Sequence, residues 1–486
     1  MPSATRSQNA STPPAKNLLR RFLLIVAGVF AAIVLLFAAG VLINLGDARI
    51  TPQTQAFMVT PKYVADPERN AYFVLRAMDA ELGLDALKVG RQLEEKYQAL
   101  YEENPNRTDY EMQISYEKAE KSSWKNGRCK PAPANCVEAD LQDRKQLESN
   151  LAQNVLALRR YELIQSLPEF EEHAIPSIAA PLLKYEPLVQ GSEMLLAKAA
   201  FEIADGRLKA GVDLLVKNDE FLRRLLLKTS TLLSRNVALG MMRKQIRTIS
   251  ELVETYPALT AQYGEVLTYL ARPLRQEEQS FAGAFASEAR FATNYLKNID
   301  AAQAIALSAS GGREPGFFAH WFGKLAGMFY QANASLNMAG AAWQSMIDEA
   351  NRPASEFADV RARVLEKNRS IAENAYLPYL HYVSNPVGKM ALKMAVVPEI
   401  YLDNMERSAD VDGYLRLVGL QVDLRRKKIA DAAIAEYASK AGAQFRSPYD
   451  GKAMTWFAEK KQLQFMGRQN AGGNPDGENV FVVHLR

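Results

Sequence analysis

Cysteine, histidine and the common signatures of catalysis are scarce in this chain. It has 486 residues but only two cysteines and four histidines. His173, His320, His381 and His484 fall in separate segments, and no His-Glu-x-x-His, Gly-x-Ser-x-Gly or Gly-x-x-x-x-Gly-Lys-Ser/Thr pattern occurs. That removes the motif-borne zinc protease, serine hydrolase and phosphate-loop classes. A charge excess is also missing from most of the chain. The formal net charge of +4 is carried by Arg6, Lys16, Arg20 and Arg21, and the 55 Asp and Glu are matched by the remaining Lys and Arg. A nucleic-acid binder shows a basic excess or stripe, so no nucleic-acid partner is expected. No metal or cofactor is expected either, since a structural zinc takes about four ligands and no histidine lies near the two cysteines.

What the chain does have is an uncharged apolar run from Phe22 to Ile43, directly after Arg20 and Arg21. One helical crossing of a bilayer needs about 20 such residues, and a cleavable signal core has only about 7 to 15. The run reads as a retained single span. Residues 1 to 21 hold four basic side chains and no acid, whereas Asp47 and Glu68 follow the run. By the positive-inside rule the tail is cytoplasmic and the body lies outside. The body is therefore expected outside the cytoplasm. Cys129 and Cys136 flank a Pro-rich loop, and in an oxidising compartment they are expected to form a disulfide.

Beyond the span the chain is rich in good helix formers, and apolar residues recur at helical spacing. The expected organisation is a disordered tail over 1–21, a transmembrane helix over 22–46, a helical region with the Cys129–Cys136 loop over 47–190, a helical bundle over 191–441 and a small β element over 442–486. Asp66-Pro67-Glu68 reads as a helix start with Asp66 as N-cap, leading to a helical pattern towards Glu103 that is interrupted at Gly83 and Gly90. Val137 to Ser166 reads as one long helix, and Pro168, Pro176, Pro181 and Pro187 mark an irregular connector. Helical spacing runs from Ser192 to Leu270, and Leu274 to Leu307 reads as a further long helix. Ala453–Phe457, Leu463–Phe465 and Val480–Leu485 read as strands. The fold class is mainly α, with an N-terminal transmembrane helix and a C-terminal β-hairpin or small sheet.

Few constellations carry chemistry. Ser115-x-x-Lys118 and Ser122-x-x-Lys125 match one element of penicillin-binding enzymes. The companions Lys228-Thr-Ser230 and Ser234-Arg-Asn236 sit on one helical stretch in the wrong order. Glu277, Glu278 and Glu288 are candidate acids for glycoside cleavage. Glu277 and Glu288 stand roughly 16 Å apart if on one helix, too far for a catalytic pair. Asn385-Pro-Val-Gly-Lys389 is a turn with a weak anion-site pattern. Phe317, Phe318, His320, Trp321 and Phe322 follow a Gly-Gly break and form the candidate contact surface, because clustered aromatics supply interface anchors. No residue is assigned a catalytic or cofactor role.

Ser447-Pro-Tyr-Asp-Gly-Lys452, with Met454-Thr-Trp456 and Leu463-Gln-Phe465-Met-Gly467, resembles the closing element of pseudopilin-like envelope proteins. The likeness implies a small hairpin against a helix. No glutamate lies within the apolar run and no peptidase-site pattern precedes it, so filament assembly is not carried over. With Asn70-Ala-Tyr72, Phe329-Tyr-Gln-Ala-Asn333 and Asn385-Pro-Val-Gly-Lys389, the whole chain resembles uncharacterised Gram-negative inner-membrane proteins that have a helical periplasmic domain. The expected function is interaction with a protein partner or scaffolding in the envelope. The alternative is a hydrolase acting on peptidoglycan or a related polymer.

Overall fold

The computed structural model describes residues 15–486 except 60, 82, 106–108, 111–115, 119–123, 125–134, 178, 311–313, 374–382, 469–478 and 486. Cys129, Ser115, Ser122, Lys125 and His381 lie outside the described residues, and with Cys129 so does the expected disulfide. Cys136 opens the helix Cys136–Gln142, which Asn135 caps. The fold is mainly α, with one long apolar N-terminal helix and one small sheet at the C-terminus.

The chain divides into two compact units, both built from separate stretches. Unit 1 comprises Met1–Ile50, Ile299–Ser335 and Glu373–Leu392; unit 2 comprises Thr51–Asn298, Leu336–Ala372 and Lys393–Arg486.

Unit 2 is a helical body. Its helices Tyr185–Ala204 and Leu208–Lys228 pack as a hairpin. They turn at Gly206, whose φ of 79° is open to glycine at little cost. Leu232–Thr255 follows with Thr231 as its N-cap, the side chain accepting from Ser234 N at 3.2 Å. The longest helix of the body, Pro398–Arg426, starts with proline in its first turn. It lies against Leu232–Thr255, Pro257–Leu270 and the sheet. Leu415, Leu417, Val418, Leu420 and Val422 on it are fully buried, each contributing about 1.5–3 kcal/mol relative to exposure.

The sheet is antiparallel in the order β1 (Thr455–Phe457), β2 (Gln462–Met466), β3 (Val480–His484). Alternation along β2 buries Leu463 and Phe465 opposite Val483 and Phe481. The Phe465 ring lies against Gly413 of the long helix, where any side chain would overlap it. A small hairpin against a helix is thus present, as the C-terminal pattern led one to expect.

Several local expectations need correction. The first helix of the body after the polar connector starts at Ala71, and its N-cap is Asn70 in place of Asp66. Asn70 Oδ1 accepts from Tyr72 N and Glu171 N while its Nδ2 donates to the Glu171 carbonyl. Those long-range ties favour Asn70, and Asp66 closes a turn by accepting from Glu68 N at 3.0 Å. Gly83, at φ 99°, does break the helical pattern. Gly90 does not: it stays inside Ala86–Glu103, where the Phe73 carbonyl occupies the space a Cβ would need. The stretch from Val137 to Ser166 is part of three helices, interrupted at Asp143 and Asn154.

Candidate membrane-facing site

The helix Ala15–Asn44 carries the apolar run, and from Leu19 it is long and apolar enough to cross a membrane. Its C-terminal end is held inside unit 1. Gly40 faces the Phe329 ring and the Val383 side chain at its would-be Cβ, and Phe37 meets Phe329 edge-on with ring centroids 5.5 Å apart. Asn44, the last residue of the helix, is 5% exposed. Its Nδ2 donates to the Gly40 carbonyl at 2.8 Å and to the Val383 carbonyl at 2.9 Å, and its Oδ1 accepts from Asn385 N at 2.6 Å. A buried side-chain amide satisfied on both sides fixes one arrangement, because leaving any of these groups unpaired costs about 1–3 kcal/mol. Gln331 Nε2 donates to the Ile43 carbonyl at 3.3 Å, and Asp47 accepts from Asn333 N and Ala334 N at 2.8 and 3.0 Å.

Asn385 completes the clasp. It sits at φ 49°, a left-handed conformation that asparagine tolerates better than most residues. Its Oδ1 accepts from Gln331 N and Gly388 N, and its Nδ2 donates to Ser335 Oγ at 3.0 Å. The Asn385 side chain therefore takes the Gly388 donor that an anion at this helix N-terminus would use.

The aromatic stretch forms the helix Phe317–Gly327, which packs against Ala301–Ala309. Small residues set the approach. A Cβ on Gly323 would collide with the Ala302 carbonyl and come within 3.1 Å of Ala306 Cβ, and one on Gly327 would reach Ala302 Cβ at 3.4 Å. Gly323-x-x-x-Gly327 against Ala302-x-x-x-Ala306 is the small-residue pattern that lets helix backbones come close in lipid. The aromatics do not point into this contact. Phe317 is 78% exposed, Phe318 82%, Trp321 57% and Phe322 54%, and His320 is exposed beside them.

The candidate acids do other work. Glu277 is exposed, whereas Glu278 is fully buried and pairs with Arg223 and Arg275, both at 3.1 Å. Arg223 also binds Asp219 at 2.9 Å, and Arg272 binds the same carboxylate at 3.0 Å. Burial pushes the Asp219 pKa up against the pull of Arg223 and Arg272. Burial likewise raises Glu288, which accepts from Leu232 N at 3.4 Å. At the same helix start sits Glu172, a residue that nothing in the local sequence marked. Its carboxylate accepts from Ser230 N, Thr231 N and Thr231 Oγ1 at 2.9 to 3.0 Å, and from Ser234 Oγ. Glu172 lines an open groove of about 550 Å³ together with Arg224 and Arg290, yet so many donors commit it to capping the helix.

The remaining histidines are also placed. His173 stacks on Tyr63 with centroids 3.8 Å apart, and burial lowers its pKa. His484 ends β3, where its carbonyl accepts from Gln421 Nε2 at 2.8 Å.

Neither family models, nor curated proteins, nor solved structures match this chain. Its function is read from its own geometry.

Proposed function

We propose that this is a membrane-anchored interaction or scaffold protein of the bacterial cell envelope. In this reading the span sits in the inner membrane, the N-terminal tail is cytoplasmic, and the helical body is periplasmic and binds a protein partner there. The observation that carries it is the clasp on Asn44. A mere tether needs no tertiary contacts, whereas this apolar helix ends in a buried amide joined on both its sides to one distant stretch of chain, at Val383 and Asn385, beside a fixed and exposed aromatic face. The role as a binder is favoured over the hydrolase because Glu278 and Glu172 are tied up in ion pairs and capping bonds.

Crosslinking in native membranes, followed by recovery of the full chain, is expected to yield a discrete protein partner. Turnover of purified peptidoglycan by the full chain, abolished by Glu288→Gln, would transfer the assignment to the hydrolase. Non-reducing mass mapping of the same material is expected to join Cys129 to Cys136. Two free thiols there would move the body to the reducing side.

A further inference from the structure

We infer that the paired helices Ala301–Ala309 and Phe317–Gly327 are a second membrane element, lying in the bilayer leaflet beside the C-terminal end of the span with Phe317, Phe318, Trp321 and Phe322 turned to lipid. The inference rests on the reading of Ala15–Asn44 as a span and names what its neighbour in unit 1 touches.

Depth comes from the clasp. Phe329, two residues past the aromatic helix, packs against Phe37 and Gly40. Phe37 lies seven positions before Asn44, about 10 Å along the helix axis, and so well inside the apolar run. The trailing end of the pair is thereby held at a level where the span itself is surrounded by lipid. Gln331, Asn333 and Ala334 then bond to the span's polar exit at Ile43 and Asp47, so the chain leaves the bilayer where the span does.

Length and composition agree. The two helices have 9 and 11 residues, roughly 14 and 17 Å, which is about half of a hydrocarbon core near 30 Å thick. They are too short to cross. In the unit 1 stretch from Ile299 to Ser335 the charged residues are Asp300, Arg313, Glu314 and Lys324, and Asp300 caps the first helix, accepting from Gln303 N at 3.0 Å. Glu314, three residues before the aromatic helix, is exposed, and a headgroup layer accommodates it there. Lys324 is exposed and can reach the same layer with its long stem.

The aromatic positions 317, 318, 321 and 322 follow the spacing of one helix face. In water such a face would be a costly exposure, whereas Trp and Phe are favoured where acyl chains meet headgroups. The close Gly–Ala packing of the pair is what lipid-embedded helices use in place of a hydrophobic driving force.

The test uses the full chain in phosphatidylcholine–phosphatidylglycerol vesicles whose acyl chains are brominated at a shallow or a deep position. The chain has four tryptophans. Trp124 and Trp343 are buried, and Trp321 is the one most open to its surroundings among those described. Shallow bromines are expected to quench a component of the emission that disappears in Trp321→Phe, while aqueous iodide leaves that component untouched. Quenching of the Trp321 component by iodide and not by bromine would overturn the inference in favour of an aqueous face. Quenching by neither would overturn it in favour of a protein cover. Chain that fails to co-float with the vesicles would instead overturn the span reading on which the inference stands.

Discussion

The two units reverse the usual relation between polarity and burial. Unit 2 hides charge: Arg223, Asp219, Glu278 and Asp412 are nearly or fully buried, and Asp412 accepts from Leu274 N and Arg416, each at 2.7 Å. Unit 1 displays aromatics: on Phe317–Gly327 the residue that is fully covered is Gly323. In the first case ion pairs and backbone donors offset the desolvation of charge. In the second the rings stand more than half exposed among the described residues. Helical periodicity alone reads alike in both, so what surrounds a helix decides which of its faces is inside.

Three substitutions break or sharpen this contrast. The largest effect belongs to Arg223→Ala, which strips the buried carboxylates of Asp219 and Glu278 of a shared cation. Removing one partner of such a pair costs about 3–5 kcal/mol, and denaturant unfolding of the full chain in detergent should show it. A loss under 1 kcal/mol would mean that Arg272 and Arg275 suffice.

Gly323→Val acts on the other unit. Its branched side chain meets the Ala302 backbone, and overpacking of this kind costs about 1–3 kcal/mol. Hydrogen exchange in Ala301–Gly327 should accelerate while the amides of the Leu232–Thr255 helix keep their protection. Acceleration in both would make the paired helices part of one cooperative whole.

The smallest effect is a pH slope. Burial raises the Glu288 carboxyl above its ordinary 4.5, outweighing the Leu232 amide that lowers it. The unfolded chain releases that proton near the ordinary value and the folded chain holds it to higher pH. Between the two values the native state binds more protons, so stability falls as pH rises through the window. Glu288→Gln removes the slope, and its advantage over the wild type in urea midpoint should grow from pH 4 towards neutrality.

Much of the fold was legible because it rests on one-dimensional signals. The long apolar helix Ala15–Asn44 is a length without charge from Phe22 onwards. The strands after Gly442 are a change of period from helical spacing to alternation, and β1 to β3 fall where that change occurs. Gly83 marked a break that takes positive φ, whereas Gly90, read the same way, stays inside a helix. Helix starts were less legible, since Asn70 displaced Asp66 as cap through bonds to Glu171, a residue about a hundred positions away. The clasp was not legible at all. Asn44 and Asn385 are 341 residues apart, and neither one looks unusual locally. Glu278 was recognisable as a first-turn acid, and it does accept from Arg275 N at 2.7 Å. Its partner Arg223, 55 residues earlier, was not. Composition marked the aromatic stretch as a group without telling inside from outside.

The clasp also has a consequence for the order of synthesis. Asn44 leaves the ribosome well before the Val383 carbonyl that it requires, which lies 339 residues later. At about 5–20 residues per second, Asn44 waits some 20 to 70 seconds with its amide unmet by its final partner. The apolar helix is therefore made early and finished late, and a nascent chain that stalls before residue 383 leaves behind a helix that has not yet become part of unit 1.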